Sequence, residues 1–99
     1  MTPEGKVKKV VSELLQKYKC YYDMPVPSGF GKSGLDYTAA INGRAFAIET
    51  KAGKKQMTPR QEQMAISMRA AGMKVFLINE ETGTAELERW LSEQITCDQ

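Results

Sequence analysis

The sequence predicts an α/β fold with a small mixed sheet of about four strands flanked by helices, in the order α-β-β-β-α-β-α. Three observations carry this prediction. Asn42-Gly43, inside the run LDYTAAINGRAFAIETK (residues 35–51), is the strongest short-range signal for a two-residue type I′ hairpin, because both central residues take positive φ. Thr58-Pro59-Arg60-Gln61 is a helix start, and behind that helix the run MKVFLIN (residues 73–79) is nearly all apolar, as a buried parallel strand is. Strand, helix and buried strand in that order make a βαβ unit. Amphipathic stripes at helical spacing occupy both ends of the chain.

Taken in order, Thr2 supplies an N-cap hydroxyl and Pro3 a first helical residue. Val7, Val10, Val11, Leu14, Leu15 and Tyr18 form one apolar stripe, with Lys6, Lys8, Lys9, Glu13 and Lys17 largely off it. Glu4 falls within the stripe, so it either faces inward or, as an acid in the first turn, complements the helix dipole. Residues 20–26, CYYDMPV, are aromatic and β-branched and predict a first strand ending at Pro25 or Pro27. Residues 28–34, SGFGKSG, predict a flexible loop. Its Gly31-Lys32-Ser33 lacks the leading glycine of a phosphate-binding P-loop (Val26 stands there), and a strand follows where that motif needs a helix. No nucleotide cofactor is expected, and Lys32 is either a contact for backbone phosphates or a solvated lysine.

Residues 52–57, AGKKQM, form a basic loop. The next helix opens with a capping box at Thr58 and Gln61, lines an apolar side partly with Met64, Ile66, Met68 and Ala71, and stops at Gly72. Gln61 is a capping residue, a side-chain amide placed near the hairpin carboxylates, or both. Thr84 caps a last amphipathic helix bearing Leu87, Trp90, Leu91 and Ile95. Trp90 belongs to the core or, if exposed, marks an interface.

The hairpin organises the rest. With Asn42-Gly43 as its loop, Ile41 pairs with Arg44 and the ladder continues until Asp36 faces Glu49. Directly opposed side chains share a face, with Cβ atoms roughly 4.5–5.5 Å apart. Ala45, Ala47, Glu49 and Lys51 lie on that face, while Phe46, Ile48 and Thr50 point the other way. Two opposed carboxylates repel, so a shared proton, a neighbouring cation such as Lys51 or a bound metal must offset them. Oxygen-only ligation suits Mg2+ or Mn2+. The plainer alternative is a solvated charge pair on an exposed sheet face.

Composition sets the bounds. Ninety-nine residues, 41% of them hydrophobic, suffice for a single domain spanning residues 1–99 with a modest core. The chain carries no apolar run long enough to span a bilayer and no signal-peptide core, so no membrane partner is expected. Cys20 and Cys97, without CxxC spacing, read as reduced cytosolic thiols. Histidine is absent, which excludes catalysis through a His base and His-ligated zinc. Residues 1–79 carry 13 Lys/Arg against 6 Asp/Glu, whereas residues 80–99 carry one Arg against 6 acids. A basic body suits a polyanion, with the acidic segment turned away or used in assembly.

The ordered set PEGKVKKVV, GFGKSGLDY, AIETK and TPRQEQ, closing on AGMKVFLIN, resembles the PD-(D/E)XK nuclease superfamily, and more closely its VRR-Nuc family of virus-type replication-repair nucleases. The resemblance covers residues 3–79, and Leu35 stands where the family usually has a proline before the aspartate. It implies a restriction-endonuclease-like core. It also implies that Asp36 and Glu49 bind Mg2+ or Mn2+ with the backbone carbonyl of Thr50, and that Lys51 is the catalytic lysine. Glu4 matches the family's N-terminal helical acid and Gln61 its helix-borne glutamine. The activity implied is structure-selective endonucleolytic cleavage of branched DNA of the Holliday-junction type, by a homodimer acting in the cytoplasm, that of the host cell if the protein is viral. Lys32, Lys54, Lys55 and Arg60 are the expected contacts to DNA phosphates. The alternatives are a nuclease-like binding module without turnover, a nuclease for other branched or duplex DNA, and a small basic adaptor.

Overall fold

Helix α1 spans Pro3–Lys17, and its start is the expected one: the Thr2 hydroxyl accepts from the Gly5 N–H at 3.0 Å, with proline at the first helical position. The computed structural model describes residues 1–26 and 34–96. Val7, Val11, Leu14 and Leu15 are buried, but Val10 is 48% exposed. At about 100° per residue Val10 falls to one side of Val7 while Val11 and Leu15 fall to the other, which leaves it outside the contact.

Strand β1 is Tyr21–Asp23, shorter than the run 20–26 predicts. Strands β2 (Tyr37–Ile41) and β3 (Arg44–Thr50) pair antiparallel with Ile41 opposite Arg44 and Tyr37 opposite Ile48, the predicted register. Asn42 (φ 51°) and Gly43 (φ 81°) both take the left-handed conformation that a type I′ turn demands. Helix α2 (Pro59–Ala70) carries the chain to β4 (Lys74–Ile78), which runs parallel to β3, and helix α3 (Ala85–Thr96) follows. The sheet order is β1-β2-β3-β4, mixed, with the element order α-β-β-β-α-β-α.

The pleat splits the core in two. Phe46, Ile48, Phe76 and Ile78 point toward α1 and α3, where they meet Val7, Val11, Leu15, Leu87 and Leu91. Trp90 packs edge-on against Phe46 and Phe76, with ring centroids 5.1 and 5.6 Å apart, so it is core. The opposite face is thinner: Leu35, Ala47, Ala65 and Val75, with Met57, Met64, Met68 and Met73 at its margin. Helix α2 touches it along the Met64–Ala65–Met68 line only, which leaves Ile66 and Ala71 exposed rather than on the apolar side. Ile95, in the last turn of α3, is half-exposed. Among the described residues no helix is long and apolar enough to cross a membrane.

Candidate active site

Asp36 stands immediately before β2, and Glu49 is the next-to-last residue of β3. Both are nearly inaccessible, 6% and 3% exposed. A buried carboxylate is tolerated only when its oxygens are bonded, and here each is held by the other's strand. Glu49 Oε1 accepts the Asp36 N–H at 3.2 Å, while Asp36 Oδ2 accepts the Thr50 N–H at 2.9 Å and the Thr50 hydroxyl at 2.7 Å. The hairpin register therefore brings the two acids together as predicted. Asp36 also meets Lys8 of α1, and Glu49 meets Gln61 of α2.

On that side the Gln61 amide answers both of its expected roles at once. Its Oε1 accepts from the Thr58 N–H at 3.0 Å, completing the capping box, and its Nε2 donates to Glu49 Oε2 at 3.0 Å. Only one orientation of the amide satisfies a donor and a carboxylate together. Lys51 Nζ lies 3.5 Å from Glu49 Oε2, the cation expected to offset that charge. The Lys51 N–H donates to the Ile78 carbonyl at 3.0 Å and the peptide bond is trans. The Thr50 carbonyl therefore points away from β4, toward the side of the strand where Asp36 lies.

Lys8 is the member that the sequence did not disclose. It was placed off the apolar stripe, yet its Nζ lies 3.8 Å from Asp36 Oδ1 and 3.5 Å from Glu4 Oε2. The available signal was the i,i+4 spacing from Glu4, which puts the two on one face. Glu4 is partly exposed and reaches the cluster through Lys8, at the rim rather than fully inward. Below them the Tyr37 phenol, pushed above its ordinary pKa chiefly by burial, donates to the Lys8 carbonyl at 2.9 Å and fixes α1 against β2.

Of the remaining expected residues, Lys32 lies outside the described residues, as does Cys97. Lys54, Lys55 and Arg60 are exposed on the loop and first helical turn that lead out of the site. That loop is anchored by a second residue the sequence did not flag. Asn79, fully buried, accepts from the Glu81 and Thr82 N–H groups at 3.0 and 2.9 Å and donates to the Lys55 carbonyl at 3.3 Å. An Asn ending an apolar run is the signature of such an Asx turn. The acidic segment is partly spent on the basic body rather than turned away: Glu80 accepts from the Gly53 N–H, Glu81 meets Lys54, and Glu88 meets Lys17.

Among the described residues no three His, Cys, Asp or Glu cluster as metal ligands. The hairpin end offers two carboxylates and one backbone carbonyl, an all-oxygen set. This fits Mg2+ or Mn2+, since Mg2+ is ordinarily held by one or two carboxylates, with waters and substrate phosphate completing the shell.

A solved structure described as a VRR_NUC domain matches the chain with a TM-score of 0.70 at 17% sequence identity, covering 100% of both chains. No protein-family model and no curated protein matches the sequence.

Proposed function

We propose that this chain, whose fold is that of a VRR_NUC domain, is a Mg2+- or Mn2+-dependent endonuclease that hydrolyses phosphodiester bonds in branched DNA, with the four-way junction as preferred substrate. The observation that supports this is the meeting of two buried carboxylates, the Lys51 ammonium and the Gln61 amide at one end of a hairpin. Asp36, Glu49 and the Thr50 carbonyl would hold a divalent ion, which would supply Lewis-acid charge neutralisation and a more acidic bound water. The protein's own part is positioning. Gln61 and the Asp36 N–H hold Glu49 in one arrangement, so little reorganisation remains when substrate arrives. Lys51, beside Glu49, orients the attacking water, deprotonates it when in the neutral amine form, or as the ammonium stabilises the charge that builds on the phosphate.

Lys32, Lys54, Lys55 and Arg60 contact backbone phosphates, a mode that carries shape rather than base sequence. Symmetric cuts on a two-fold junction require two copies, hence a homodimer. A binding module without turnover is the second reading. The observation in its favour is that Lys8 and Lys51 already stand against both carboxylates.

The test is cleavage of an end-labelled four-way junction beside a linear duplex, in Mn2+, Mg2+ and EDTA. Metal-dependent, paired nicks in the junction alone are expected. Equal cutting of both substrates removes the junction preference, and tight binding without any cutting favours the second reading.

A further inference from the structure

We propose that Lys8 is a built-in counter-cation for Asp36 that competes with the divalent ion for this carboxylate, so that metal affinity is tuned from helix α1. The inference rests on the nuclease reading above and adds a residue from outside the hairpin. Lys8 Nζ bridges Glu4 Oε2 at 3.5 Å and Asp36 Oδ1 at 3.8 Å.

Its backbone is fixed where it stands. Tyr37, the fully buried neighbour of Asp36, gives its phenolic proton to the carbonyl of Lys8 itself. The Ser12 hydroxyl, one turn further along α1, meets the same phenol oxygen at 2.7 Å. With the single phenolic proton spent on Lys8, Ser12 is the donor of that second bond. The two bonds set the Lys8 turn of α1 in register with the first residue of β2, and Asp36 is the residue before it.

The charge arrangement follows. Among the described residues, Glu49 meets Lys51 at 3.5 Å and Asp36 meets Lys8 at 3.8 Å, ammonium groups drawn from two different elements. A divalent ion approaching Asp36 meets a positive charge already in place and must outcompete it. Glu4 gives the displaced ammonium a partner one helical turn away, so displacement does not leave Lys8 without one.

The experiment is calorimetric titration of Mn2+ into the DNA-free chain, comparing wild type with Lys8→Met, Lys8→Arg and Lys9→Met. The attraction of two unit charges about 4 Å apart in a high dielectric is worth about a fivefold factor, so Lys8→Met, which has no such pair to break, should bind Mn2+ about fivefold more tightly. Lys8→Arg keeps the charge and Lys9→Met removes an exposed neighbour, so both should stay within about twofold of wild type. In EDTA the melting temperature of Lys8→Met should fall, and its rise on adding Mn2+ should be larger than that of wild type. Unchanged or weaker Mn2+ binding by Lys8→Met overturns the proposal. If wild type binds no Mn2+, the nuclease reading fails, and Lys8→Met still decides the matter. Gained binding upholds the competition; continued absence overturns it.

Discussion

Two carboxylate–lysine pairs sit in contrasting parts of this molecule. Glu88 on α3 meets Lys17 on α1 at 2.9 Å, with side chains 40% and 65% exposed, and also accepts from the Tyr18 hydroxyl at 3.0 Å. Glu49 meets Lys51 at 3.5 Å, with side chains 4% and 15% exposed. The shorter contact joins two helices at the surface, where solvent and salt screen it. The longer one lies where water is largely excluded, and where the carboxylate is fixed by a backbone N–H and an amide as well. Distance alone misranks them. Burial and the number of directed bonds decide which charge is held rigidly, and which merely fastens one helix to another.

The contrast can be tested from its strongest side. Lys51→Ala and Asp36→Asn should each lower junction cleavage by about a thousandfold or more, with circular dichroism unchanged. A folded Lys51→Ala protein with near-normal cleavage would place the chemistry elsewhere. Gln61→Ala removes one arm of a cap and one donor to Glu49 together. It should lower cleavage by about tenfold to a hundredfold and stability by about 1 kcal/mol, read by urea titration. If only stability moved, the amide would be a cap and nothing more.

At the surface pair the effect is smallest and depends on conditions. Hydrogen bonds from Lys17 and then Tyr18 hold the Glu88 carboxyl below its ordinary pKa, and the Glu88 bond raises Lys17 above its own. The Glu88 contribution is therefore present above the ordinary carboxylate range and lost as pH falls through its depressed value. The Lys17 contribution is present below the ordinary lysine value and lost as pH rises through its raised one. Glu88→Gln should melt slightly below wild type near neutral pH, converge with it in acid and in strong salt, and leave cleavage unchanged. Cys20 offers a separate check: burial pushes its thiol up to about 11, so a thiolate-selective reagent should react with it slowly at pH 8 in the folded chain.

Much of this arrangement was legible in the sequence because it is local or periodic. Asn42-Gly43 fixed a register that carried through to Asp36 and Glu49, since a one-residue slip would have turned every side chain of the strand over. Thr58 and Gln61 named a cap that also reaches the carboxylate, because α2 begins just after β3 ends. What stayed hidden depends on how separate elements lean together. Lys8 looked like one more solvated lysine, and only the seating of α1 on Tyr37 brings it to Asp36. Asn79 ended an apolar run, and its buried role appears once the loop after β3 folds back onto it. Val10, Ile66 and Ile95 satisfied a helical period, but each lies at the edge of a contact narrower than the stripe itself.

The most direct test of the account is the single-turnover rate of four-way junction cleavage by wild type and by Glu49→Gln at saturating Mn2+. The account predicts cleavage by wild type and loss of about a thousandfold or more in the variant, which keeps the shape of Glu49 but not its charge. Equal rates from the two proteins would contradict it, because the buried carboxylate on which the whole site is built would then be dispensable.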